Sequence, residues 1–158
     1  MHPSAQKVAD AAQALGLDIE IVEFAQTTRS AQEAADAIGC DVAQIVKSLC
    51  FVVNGRATIC LVSGANQLDE RKLAALEGVG RKQVSRAEAE MVKAATGFTI
   101  GGVPPFGHVT SLPVYIDEDL KRFEVVWAAA GTPFAVFAIR PEALERVAGG
   151  TAVSLKKE

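Results

Sequence analysis

The stretch QIVKSLCFVVNGRATICLVSG, residues 44–64, restricts the fold more than any other part of the chain. Two β-rich runs flank Asn54-Gly55. That dipeptide favours a type I′ turn, whose twist matches that of two paired strands. A hairpin is therefore expected here. Around it the other elements are short and irregular in order. Residues 3–15 carry Val8, Ala12 and Leu15 at helical spacing, with Gly16 as a stop. DIEIVEF (18–24) alternates and predicts a strand. In SAQEAADAIG, Ser30 and Glu33 form a capping box and Gly39 ends the helix. Asp69 caps a helix through Leu76, and Ser85 with Glu88 forms a second capping box for a helix to about Ala95. PVYID (113–117) predicts a short strand. EVVWAAAG (124–131) and PFAVFAI (133–139) predict a second hairpin around Gly131-Thr132. RPEALERVAGG, with Pro141 in its first turn, predicts a last helix, and TAVSL a final strand. Strands and helices are mixed without strict alternation. The expected class is α/β in the mixed α+β sense, a barrel-like mixed sheet surrounded by helices, not a doubly wound parallel sheet.

A chain of 158 residues without an internal repeat, linker or low-complexity segment suggests one domain. With 49% apolar residues it can fill one core, and its net charge of −3, without a lysine-rich arm, argues against a protein that coats DNA or other nucleic acid. Local contact with a few phosphates stays open. No apolar run of membrane-spanning length occurs, so no membrane partner is expected. The N-terminus lacks the pattern of a signal peptide, so a cytoplasmic location is expected. The three cysteines, Cys40, Cys50 and Cys60, form neither a disulfide framework nor a metal-ligand pair, and read as small apolar residues.

Few residues carry candidate chemistry. Lys47 opens a strongly apolar strand, and a lysine there must reach solvent, a partner or an anion. It reads either as a snorkelling edge lysine or as a fixed cation for a phosphate or carboxylate. The stretch FTIGGVPPFGHVTSLPVYID packs Gly101, Gly102, Pro104, Pro105, Gly107 and His108 into eight positions. Glycines allow close backbone approach to a ligand and prolines hold one shape, so such a loop can aim several backbone groups at a reacting centre. The alternative is a rigid connection. His108 has no cysteine or serine partner in view; it either orients a substrate or caps a turn. Nucleophile-elbow, P-loop, zincin and dinucleotide signatures are absent. Arg71, Lys72, Arg81, Lys82 and Arg86 form the most basic region, a solvated face or a candidate nucleic-acid contact.

The segments TTRSAQEAADAIG, QIVKSLCFV, LVSGANQLDERKLA, GFTIGGVPPFGH, YIDEDL and VWAAAGTPFAVFAI, in this order, resemble the YbaK/ProX family. These are free-standing relatives of the editing domain of bacterial prolyl-tRNA synthetases. The resemblance runs from about residue 20 to 155. It implies hydrolysis of the ester joining a wrong amino acid to tRNA, with the acceptor end of an aminoacyl-tRNA, tRNA-Pro in particular, as substrate and prolyl-tRNA synthetase as an associated protein. The family lysine falls on Lys47 and the G-x-x-x-P motif on Gly101 through Pro105, with Gly102 inside it. Ser48, His108, Gly131 and Thr132 are then expected to bind substrate. No metal or organic cofactor is implied. Positioned water and backbone hydrogen bonds to the oxyanion, assisted by the terminal ribose hydroxyl of the tRNA, replace a side-chain base. Ser48 stands where alanine-specific members of the family tend to carry asparagine, and the apolar surroundings suggest a small uncharged amino acid: alanine, 2-aminobutyrate, cysteine, serine or threonine. A non-catalytic module binding aminoacyl-tRNA ends, nucleotides or a synthetase is the competing reading.

Overall fold

A computed structural model describes all residues from Met1 to Glu158. Its strands are β1 (Ile21–Glu23), β2 (Ile45–Val53), β3 (Arg56–Ser63), β4 (Val84–Arg86), β5 (Val114–Asp117), β6 (Val126–Ala129), β7 (Ala135–Ile139) and β8 (Thr151–Val153). The helices are α1 (Pro3–Ala14), α2 (Ala31–Ile38), α3 (Glu70–Glu77), α4 (Ala89–Thr96) and α5 (Pro141–Ala148). Asn54 and Gly55 turn the chain with φ of 51° and 82°, the conformation that the Asn-Gly dipeptide predicts. The hairpin they join pairs from Val46–Ser63 to Val53–Arg56.

All eight strands belong to one mixed sheet in the order β1-β7-β6-β2-β3-β5-β8, with β4 added to the end of β2. Pairing is antiparallel within both hairpins and parallel for β2–β6, β3–β5 and β5–β8. The outermost strands β1 and β8 do not pair with each other, so the sheet does not close into a barrel.

Strand β3 explains the long apolar run of the opening motif. Ile59 and Leu61 point into a core of 21 residues that includes Val8, Val92 and Leu144 from α1, α4 and α5. The alternate residues Cys60 and Val62 point into a second core of nine, capped by Leu73 of α3 and Leu155. A strand buried on both faces loses its polar alternation. Each such fully buried aliphatic side chain contributes about 1.5–3 kcal/mol. Cys50 and Cys60 are buried and Cys40 half-buried, all as free thiols. The Ser30–Glu33 capping box is present, with both reciprocal hydrogen bonds at 3.1 Å. The second expected box is not. Ser85 pairs with Val52 in β4, and α4 begins after Glu88 without a side-chain cap. A strand partner on β2 takes Ser85 away from the helix it would have capped.

Candidate active site

The far edge of β2 is divided between two neighbours. β6 pairs with Ile45 and Val46, and β4 pairs with Phe51 to Val53. Residues 47–50 have no strand beside them on that edge. The Gly64 amide donates to the Ile45 carbonyl at 2.7 Å on the β3 side. Antiparallel alternation therefore turns the amide and carbonyl of Ser48 into the gap. A cavity of about 450 Å³ opens there, with Arg29, Lys47, Ser48, Arg86, Gly101 and Trp127 on its wall. The Ser48 hydroxyl is buried and has no hydrogen-bond partner. A buried hydroxyl without a partner costs about 1–3 kcal/mol.

Lys47 is half-buried at this wall. Its Nζ donates to the Asn66 carbonyl at 2.5 Å. Burial holds its pKa below the ordinary lysine value, the Arg86 cation lowers it further, and the Asp117 carboxylate partly restores it. The Arg86 guanidinium lies 5.4 Å from the centre of the Phe51 ring, a cation–π contact that orients it. Neither Arg29 nor Arg86 has an ion-pair partner. Glu70, also on the wall, is occupied by Arg81 at 2.7 Å. The cavity therefore presents three cations against one carboxylate already paired.

The Gly/Pro loop forms the opposite lip. Gly101 faces the cavity with φ of 95°, beneath the Arg29 side chain. Gly102 is buried and faces the other way. A Cβ there would lie 2.8 Å from Thr132 N and Cα and 2.9 Å from the Gly131 carbonyl carbon. Gly131 and Thr132 thus support the loop from behind. The same turn is tied to the cavity rim, because the Pro133 carbonyl accepts from the Thr28 amide at 2.5 Å and the Thr28 hydroxyl at 3.1 Å. Pro104 and Pro105 are buried. His108 Nε2 lies 2.7 Å from the Pro104 carbonyl, and burial depresses its pKa while that contact opposes the shift. The neutral ring donates to the carbonyl and closes the loop upon itself.

Of the residues singled out in the sequence, Lys47, Ser48 and Gly101 share the cavity wall, although the first and last are far apart in the chain. Gly102, Pro105, His108, Gly131 and Thr132 stand behind it. Arg29, Asn66 and Asp117 escape the sequence reading. Asp117 does carry a signal: a carboxylate closing the apolar run PVYID must find donors if it is buried.

The family profile described as an aminoacyl-tRNA editing domain matches residues 25–147, and the chain belongs to this family. It is an aminoacyl-tRNA deacylase, a hydrolase of the YbaK/ProX type. A solved structure described as a candidate trans-editing enzyme for prolyl tRNA synthetase superposes with a TM-score of 0.94 at 45% identity, covering 100% of this chain and 99% of that one. The uncharacterized protein YwhH of Bacillus subtilis is 33% identical over 79% of this chain and 78% of its own. The candidate Cys-tRNA(Pro)/Cys-tRNA(Cys) deacylase EbsC of Enterococcus faecalis is 28% identical over 77% of this chain and 73% of its own. No helix is long and apolar enough to cross a membrane.

Proposed function

We propose that the protein acts in trans on tRNA-Pro mischarged with a small uncharged amino acid, in the cytoplasm and alongside prolyl-tRNA synthetase. The observation that carries this reading is the strand-free stretch of the β2 edge at Ser48, beside Lys47 in the cavity wall. An aminoacyl ester offers that edge donors and acceptors that water or a packed side chain would otherwise supply. Ala31, Ala34, Val46 and Ala128 line the same cavity, and an apolar lining favours an uncharged side chain. Lys47, Arg29 and Arg86 supply positive charge for the phosphates of the acceptor end.

In this reading water adds to the ester carbonyl, and the bond from that carbon to the ribose oxygen breaks. The ribose oxygen takes a proton, leaving free amino acid and free tRNA. The Gly101 backbone at the lip faces the developing negative charge, with Gly102, Pro105 and the Gly131–Thr132 turn holding it in place. Lys47 holds the substrate electrostatically and is not the nucleophile. His108 fixes the loop and is not the base. No step requires a metal or an organic cofactor.

The test is hydrolysis of tRNA-Pro charged in turn with alanine, 2-aminobutyrate, cysteine, serine, threonine and proline. The small residues are expected to be released and proline spared, with overlap among the small ones, since one methylene changes binding by only about 1–3 kcal/mol. Lys47→Ala is expected to slow hydrolysis roughly 100-fold by loosening the ester's position, while the melting temperature stays close to wild type. Equal hydrolysis of the prolyl ester, or near-normal turnover by Lys47→Ala, overturns the reading.

A further inference from the structure

Asp117 ends β5 with 0% of its surface exposed. Its carboxylate collects donors from three directions. Oδ2 accepts from the Ser63 amide at 3.1 Å and from Asn66 Nδ2 at 2.8 Å, and Oδ1 accepts from the Asp119 amide at 3.0 Å. The same Asn66 Nδ2 donates to Asp119 Oδ2 at 2.9 Å, and Lys156 Nζ meets that oxygen at 3.3 Å. The Asn66 side chain is thus clamped between two carboxylates. The chain beyond it is also fixed: the Lys157 amide donates to the Gln67 carbonyl at 2.7 Å and the Asp69 amide to the Leu155 carbonyl at 2.8 Å. From this clamped loop the Asn66 carbonyl faces Lys47.

We propose that Asn66 and Asp117 are positioning residues for the deacylation reaction: Asp117 grips the Asn66 amide so that the Asn66 carbonyl holds the Lys47 ammonium at the cavity wall. The inference rests on the functional reading above. Neither residue touches the cavity wall itself, so each acts through Lys47. A lysine side chain has several rotors, and its charge is useful to a substrate only where the ammonium is held in one place. The carbonyl accepts one of its three protons and leaves the other two for the ligand. The charged groups around Lys47 are Arg86 from β4, Arg29 ahead of α2, Glu70 from α3 and Asp117 from β5. Asp117 is the one that favours its charged form.

The experiment compares wild type, Asn66→Ala, Asp117→Asn and Lys47→Ala/Asn66→Ala. It reads kcat and KM for mischarged tRNA across pH, and titrates the Lys47 side chain by carbon-detected NMR without substrate. Asn66→Ala is expected to lower kcat roughly 10- to 100-fold, with KM changed by no more than about threefold. Added to Lys47→Ala, it is expected to cost almost nothing more, as for residues that act as a unit. Activity needs charged Lys47, so it falls as pH rises through the lysine pKa. In Asp117→Asn the NMR midpoint and the alkaline limb of the rate profile both move to lower pH, because the favouring carboxylate is gone. Should Asp117→Asn fail to fold, Asn66→Ala carries the test, since the Ser63 and Asp119 amides still satisfy the buried carboxylate. An unchanged kcat in Asn66→Ala, or an equal loss with and without Lys47, overturns the proposal. If the wild type does not hydrolyse these tRNAs, the functional reading fails alone: a Lys47 midpoint unmoved by Asp117→Asn overturns the clamp, and a lowered one supports it.

Discussion

Two glycine-bearing bends of this chain look alike in sequence and differ in kind. At the β2–β3 turn, Gly55 has φ of 82° and no atom within 4 Å of where a Cβ would stand. At the cavity lip, Gly102 needs no unusual backbone angle, yet a Cβ would meet the Gly131–Thr132 backbone at 2.8 Å. The first glycine serves conformation, the second proximity. Gly101, between them in character, has φ of 95° and a neighbour that can move, with Arg29 Cγ at 2.9 Å. A turn needing conformation alone can stand free in solvent. A lip that must present backbone groups to a substrate has to be pressed against a rigid support, and there the space of one methyl group matters.

The largest effect is therefore expected at Gly102. Backbone atoms of a buried turn cannot rotate aside, so Gly102→Ala must displace either the lip or the turn. Overpacking of this sort costs about 1–3 kcal/mol, and a displacement near 1 Å at a reacting centre costs roughly 100-fold in rate. His108→Ala removes only the contact to the Pro104 carbonyl and is expected to keep more activity than Gly102→Ala. Deacylation rates and circular dichroism of the two variants check this. A folded Gly102→Ala enzyme with wild-type kcat would show that the lip needs no close support.

Gly101→Ala comes next. It carries a conformational cost of about 1–2 kcal/mol for a side chain at positive φ and pushes an exposed arginine away from the cavity mouth. A rate loss of roughly tenfold is expected, smaller than at Gly102 because the obstacle is a flexible side chain. Gly101→Ala/Arg29→Ala separates the two causes: it is expected to remain destabilised, since removing the arginine leaves the backbone angle unchanged. Full recovery of thermal stability in that double variant would make crowding, not φ, the dominant cause at Gly101.

The same contrast explains which features of the molecule are legible in its amino-acid sequence. Asn54-Gly55 announces its turn because conformation is a local property, and the capping box at Ser30–Glu33 is legible for the same reason. The mixed sheet follows from the order of such local signals. Ser85 misleads because its strand partner Val52 is remote in sequence. At the site, Lys47 and the glycine lip stand out as violations, a charge in an apolar strand and an excess of backbone constraint. Asn66 and Asp117 do not. Their role lies in a hydrogen bond across 51 positions, which no periodicity encodes. Likewise the family resemblance points to Gly131 and Thr132 as substrate contacts, and no local signal tells that they also stand behind Gly102, with Gly131 against the Ser4 backbone of α1.

The smallest effect, and the one that sharpens the comparison most, is at the turn. Gly55→Ala introduces no contact, so its whole cost is the positive φ, about 1–2 kcal/mol. Gly55 does not line the cavity, and hydrolysis by the folded variant is expected to match wild type. Asparagine tolerates the left-handed region better than alanine because its short polar side chain can bond locally. Gly55→Asn is therefore expected to recover part of the stability that Gly55→Ala loses. At Gly102 the same change should recover nothing, because asparagine also carries a Cβ and more bulk behind it. Melting temperatures of the four variants, Ala and Asn at each position, measure this directly. If asparagine rescued Gly102 as it rescues Gly55, the lip would be a second conformational turn, and the close packing against Thr132 would carry no energetic weight.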